Sequence, residues 1–121
     1  MNRIKLALLT TVAVIASFVS LAAVAQSATT AQTVSVTELS YSIRFSAKPK
    51  AGTVKFIVKN ASGDDHDLWL RGGGKTWKTR VMGGLASSTL TVKLKKGVRY
   101  TFWCAVDDHS SEGMRGSFFA R

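Results

Sequence analysis

The chain has 121 residues, with 17 Lys+Arg against 7 Asp+Glu, two histidines and one cysteine. That length holds one small core at most, a lone cysteine excludes an internal disulfide framework, and so few histidines and thiols exclude a large metal cluster. The net charge of +10 leaves anionic lipid, wall polymer or an acidic partner as the attractions of a basic body.

In chain order, Arg3 and Lys5 precede an uncharged apolar run over residues 6–25 that ends in Ala23, Val24 and Ala25. This is the pattern of an export signal with a small-x-small cleavage site. Uncleaved, the run is long enough to be a membrane anchor. The reading divides the chain into a signal peptide over 1–25, a flexible polar lead-in over 26–32 and one domain over 33–121. It places the domain in the periplasm or outside the cell. An exported chain without an RNA or DNA module is not read as a nucleic-acid binder.

Within the domain, Val34 and Val36 alternate with Thr33, Ser35 and Thr37, and Tyr41, Ile43 and Phe45 alternate with Ser42 and Arg44. A turn follows at Pro49 and Gly52. Val54, Phe56 and Val58 alternate with Lys55 and Lys59, although Ile57 breaks the polar face. Residues 60–65 form a loop, Leu68 and Leu70 a strand, and residues 72–74 a flexible tip. Leu90, Val92 and Leu94 alternate with Thr91, Lys93 and Lys95, and Lys96 and Gly97 turn the chain. Val98, Tyr100, Phe102 and Cys104 share a face, and Phe118 and Ala120 lie in a last strand. Period-two alternation punctuated by turns predicts an all-β antiparallel sandwich.

The chemistry concentrates in four side chains. Cys104, His109 and Met114 stand at Cys-x4-His-x4-Met, and His66 begins a remote strand. Alone, each has an ordinary reading as a small core residue, a solvated loop residue or core filler. Together they suit copper: two imidazoles and a thiolate make a trigonal plane, and a thioether is a weak axial ligand. Zinc competes for such a set but seldom accepts a thioether, so Met114 favours copper. A cysteine that stays a thiol outside the cytoplasm also needs a reason to persist, and coordination supplies one.

With these residues in place, the chain resembles the plastocyanin/azurin family of cupredoxins over nearly all of residues 34–121. The resemblance is carried by the stretches 52–60 and 94–104, by His66 and His109, and by Gly113, Met114, Arg115 and Gly116. The ligand-loop spacing is more similar to that of azurins, auracyanins and rusticyanins than of plastocyanins. The resemblance implies a Greek-key sandwich, one copper ion held by His66, Cys104, His109 and Met114, and single-electron carriage between redox proteins. Two departures stand out. Asp107 and Asp108 replace the Pro-Gly that many members carry before the second histidine. Asp67 and Ala105 replace the Asn and Ser/Thr whose hydrogen bond joins the two ligand loops. Asp67 can still accept the Ala105 backbone N–H. Together with Asn60, these are the residues expected around the ligands.

Six of the seven carboxylates (Asp64, Asp65, Asp67, Asp107, Asp108 and Glu112) fall in the two ligand loops. A redox partner docking near His109 is therefore expected to be basic there. The chain is read as a monomer and, lacking a second histidine set, a Ser-His-Asp arrangement or a phosphate loop, as a non-enzyme. Two other functions fit the residues: an extracytoplasmic copper carrier, and a metal-free adhesion module presenting Trp69 and Trp77 beside Arg71, Lys75 and Lys78.

Overall fold

The computed structural model describes residues 22–25 and 30–121. Most of the export segment over 1–25 and of the lead-in over 26–32 lies outside the described residues. Among the described residues, no helix is long and apolar enough to cross a membrane.

Among the described residues, eight strands form two four-stranded sheets: β1 (Gln32–Leu39), β2 (Ser42–Phe45), β3 (Gly52–Asn60), β4 (Trp69–Gly72), β5 (Lys75–Lys78), β6 (Ser87–Leu94), β7 (Arg99–Trp103) and β8 (Arg115–Phe119). One sheet runs β2-β1-β3-β6 and the other β5-β4-β7-β8. Pairing is antiparallel throughout except between β1 and β3, which run parallel with Val34 opposite Phe56 and Glu38 opposite Asn60. The exception to the antiparallel expectation has a topological cause. β2 folds back along one edge of β1, and the chain then passes the start of β1 to lay β3 on its other edge. Alternation alone does not distinguish that order from a meander.

The alternation itself is realised. Val34, Val36, Val54, Phe56, Val58, Val92 and Leu94 from one sheet meet Leu68, Leu70, Tyr100 and Ala120 from the other side of the sandwich, all buried. Burying these branched and aromatic side chains is the main stabilising term of so small a domain. Phe45 knits the layers, with ring centroids 5.9 Å from Phe56, 4.7 Å from Phe102 and 5.7 Å from Phe118. Ile57 faces outward and is partly exposed.

Three local readings are corrected. Tyr41 is not a strand residue: it occupies the β1–β2 turn with φ 64°. The 72–74 tip begins inside β4, because the Gly72 backbone lies against the Tyr100 ring and only a residue without Cβ fits there. Residues 75–78, unassigned from sequence, form β5, whose register sets Trp77 opposite Leu70. The strand directions gather four connections at one end of the sandwich: residues 40–41, 61–68, 79–86 and 104–114. That end holds the site.

Candidate metal centre

The inward phase of β1 and β3 turns polar as the strands reach this end. Glu38 continues the Val34–Val36 face, and Asn60 continues the Phe56–Val58 face. Asn60 is fully buried and organises the loop beyond it. Its Nδ2 donates to the carbonyls of Asp64 at 2.5 Å and Met82 at 2.9 Å, and its Oδ1 accepts the Ser62 N–H at 2.9 Å. The loop then delivers His66, whose backbone exchanges two hydrogen bonds with Met82, at 3.0 and 2.7 Å.

Ser62 sits against the outer nitrogen of the His66 ring. Its hydroxyl lies 2.8 Å from His66 Nε2, 3.0 Å from Asn60 Oδ1 and 3.5 Å from the Asp64 carbonyl. A metal at Nδ1 requires the ring proton on Nε2, and in that tautomer the hydroxyl oxygen accepts it while donating its own proton to Asn60 or Asp64. Burial, and then the neighbouring His109, lower the His66 pKa, which keeps the ring in the neutral form that ligates.

Cys104 follows β7 and is buried; its N–H donates to the Met114 carbonyl at 3.0 Å. Met114, also buried, donates its own N–H to the His109 carbonyl at 2.9 Å. The loop between them is thus a closed ring of backbone bonds. Asp107 turns it in the left-handed region at φ 44°, which Asp tolerates better than most residues. Gly113 turns at φ 123°, beside the Tyr41 carbonyl. The half-buried His109 ring meets the Tyr41 ring edge-on at 6.3 Å.

Three donor atoms converge. His66 Nδ1 and His109 Nδ1 lie 3.2 Å apart, and each is 3.8 Å from Cys104 Sγ. A trigonal plane with bonds of about 2.0 Å to nitrogen and 2.3 Å to sulfur requires separations of about 3.5 and 3.8 Å. The triangle therefore accepts an ion with a shift of about 0.3 Å. Burial pushes the Cys104 thiol pKa up, opposed by the backbone N–H groups of Asp67 and Val106. A thiol so placed ionises when a cation arrives to replace its proton. Met114 is joined to both His109 and Cys104 through its backbone, and the donor atoms that converge are those of His66, Cys104 and His109.

Asp67 ties the two ligand loops. Its Oδ1 accepts the Ala105 N–H at 2.7 Å, its Oδ2 accepts Trp69 Nε1–H at 2.8 Å, and its own N–H points at Cys104 Sγ at 3.5 Å. Asp67 is therefore buried rather than part of an exposed acidic rim, and that expectation is reduced by one. Asp64, Asp65, Asp107, Asp108 and Glu112 remain exposed around the site.

No protein-family model and no curated protein matches the chain. Solved structures do. Dithionite-reduced auracyanin from Roseiflexus castenholzii superposes with a TM-score of 0.62 at 18% identity, covering 75% of this chain and 98% of that one. Auracyanin B gives 0.62 at 18% identity, covering 75% and 89%. A Campylobacter jejuni multicopper oxidase gives 0.51 at 17% identity, with 74% of this chain matching 29% of the oxidase.

The fold is that of the cupredoxins.

On this cupredoxin frame, two imidazoles, a thiolate and a thioether make a type 1 copper ligand set. Sequence reasoning missed Ser62, Met82 and the buried state of Glu38. Ser62 alone carried a signal, a hydroxyl four residues before the first histidine. Glu38 is fully buried, with no hydrogen-bond partner among the described residues for either carboxylate oxygen, and burial followed by the Asp67 charge raises its pKa to about 7. The suggested adhesion face also fails as drawn. Trp77 packs inward against the core, 6.4 Å from Tyr100, while Trp69 stacks at 5.7 Å on Trp103 on the outer face.

Proposed function

We propose that this chain is an exported, monomeric type 1 copper protein that carries single electrons, with His66, Cys104, His109 and Met114 as its ligands. The observation that carries this reading is the triangle of His66 Nδ1, His109 Nδ1 and Cys104 Sγ, within about 0.3 Å of metal-bonded separations. Bound copper supplies a one-electron Cu(II)/Cu(I) couple. Thiolate and thioether sulfur suit the reduced ion and imidazole suits the oxidised one. The protein's part is to hold one geometry for both. Asn60, Ser62, Met82 and Asp67 anchor the donors to two packed sheets, which keeps reorganisation small.

His109 is the half-buried ligand and serves as the electron port. Tyr41 meets its ring edge-on, and the connections at the same end of the sandwich expose Val81, Leu85 and the five carboxylates. An apolar centre with an acidic rim fits a redox partner that is basic at its contact.

The test is the visible spectrum of the full chain with one equivalent of Cu(II), before and after ascorbate. An intense thiolate-to-copper band that bleaches on reduction and returns in air supports the reading; a colourless protein overturns it. Slow metal exchange with fast reduction by a basic carrier distinguishes electron transfer from copper delivery.

A further inference from the structure

The outer face of the β5-β4-β7-β8 sheet has a composition that the metal site does not use. Across its strands the register lines up Lys78, Trp69, Trp103 and Arg115 in one row, and Thr76, Arg71, Thr101 and Ser117 in the next. These side chains point outward because their chain neighbours Leu70, Phe102 and Phe118 pack on the core. Trp69 and Trp103 stack at 24°. Lys78 Nζ lies 4.7 Å from the Trp69 ring and the Arg71 guanidinium 5.3 Å from the Trp103 ring. No Asp or Glu occurs in these four strands.

Among the described residues Arg71 spends only Nε, in a 3.4 Å bond to the Thr76 hydroxyl, and its two terminal nitrogens make no bond there. Arg71 and Arg115 line, with Thr101, Trp103 and Ser110, an open cavity of about 320 Å³. The opposite outer face is basic too, but by other means. There Arg44, Lys55, Lys59 and Lys93 stand among threonines, serines and Ile57, without an aromatic ring. Lysines among hydroxyls are a solvated surface. A guanidinium over a tryptophan ring, as Arg71 lies over Trp103, is partly dehydrated and held in place, and arginine beside tryptophan is the composition of strong protein contacts.

We propose that the Trp69–Trp103 face is a docking surface for an acidic protein, one of whose carboxylate side chains enters the cavity between Arg71 and Arg115. The concavity favours a protruding carboxylate, which a guanidinium grips with two parallel bonds, over the smooth array of a bilayer. The flanking tryptophans supply rigid apolar area at little entropic cost. The chain then has two contact regions of opposite sign: an acidic end around His109 and a cationic, aromatic side. The second stands whether or not the first binds copper.

The test follows tryptophan fluorescence and backbone amide shifts of the full chain during titration with a hexaglutamate peptide. In parallel, the chain is titrated with vesicles of equal parts phosphatidylcholine and phosphatidylglycerol. Saturable peptide binding with shifts confined to β4, β7 and β8 is expected. It weakens about tenfold in the Arg71→Gln/Arg115→Gln double variant and is unchanged in Lys55→Gln/Lys93→Gln, which removes the same charge from the other face. Equal weakening in both doubles reduces the effect to net charge and overturns the proposal. So does vesicle binding that depends on Arg71 and Arg115 without peptide binding, which makes the face a lipid site, and so does the absence of any binding. All four substituted side chains are exposed, and circular dichroism confirms that each double variant folds.

Discussion

Asp67 and Ala105 bridge the two loops that carry the metal donors, through a 2.7 Å bond from the Ala105 N–H to Asp67 Oδ1. The same carboxylate holds Trp69 Nε1–H at 2.8 Å. Asp67→Ala leaves both donors without this acceptor and is expected to destabilise the metal-free chain by about 3 kcal/mol. Asp67→Asn keeps one acceptor but sets an amide against the indole N–H, at about 1–2 kcal/mol. Urea unfolding of the two variants checks the order; equal losses contradict the two-bond role.

Ser62 is expected to matter to the metal more than to the fold. Ser62→Ala removes the hydroxyl that accepts the Nε2 proton in the metal-binding tautomer of His66. Copper affinity should fall about 10- to 100-fold. Competition with a chelator of known affinity measures this, and an unchanged affinity removes Ser62 from the site.

Glu38 gives a pH dependence of known sign. Its pKa rises from an ordinary 4.5 to about 7 because burial disfavours the charged form, with the Asp67 charge adding to it. Between those values the folded state holds a proton that the unfolded state has lost. Its contribution is therefore full below pH 4.5 and is lost as pH rises through about 7. The difference amounts to about 3 kcal/mol at most. His66 works in the opposite sense, since its pKa is lowered and it favours folding as pH rises toward 6.5. The clean observable is the gap between Glu38→Gln and the parent chain in urea melts, expected to widen in the variant's favour from pH 5 to pH 8. A constant gap contradicts the burial argument.

Gly72 should not accept a side chain. A Cβ there would lie 2.7 Å from Tyr100 Cε1 and 2.9 Å from the Arg99 carbonyl, and the carbonyl belongs to the paired backbone. Gly72→Ala is expected to cost about 2–3 kcal/mol. Gly74→Ala meets nothing within 4 Å and pays only for φ +76°, about 1 kcal/mol. Thermal melts of the pair test the difference.

The fold was legible where one face of a strand is apolar and the other polar, as in Val54, Phe56 and Val58 against Lys55 and Lys59, because burial of one face imposes a period of two. It was not legible in residues 75–78, too short to alternate. The orientation of Trp77 comes from its register with Leu70, which local sequence does not contain. The parallel pairing of β1 with β3 is likewise a matter of chain path. Tyr41 continued an apparent alternation and yet became the turn, since reversing the chain required one residue at positive φ.

By itself the sequence determined the donor types, two imidazoles, a thiol and a thioether, and the ten-residue loop spacing that puts three of them together. It also determined that Asp67 could accept from Ala105. Only the tertiary structure decided that His66 meets Cys104 across 38 positions at 3.8 Å, that Ser62 stands 2.8 Å from its Nε2, and that Glu38 is buried without a partner among the described residues. It also separated Trp77 from the surface and paired Trp69 with Trp103. The reason is physical: side-chain chemistry is local to a residue, whereas burial, register and convergence belong to the packing of two sheets.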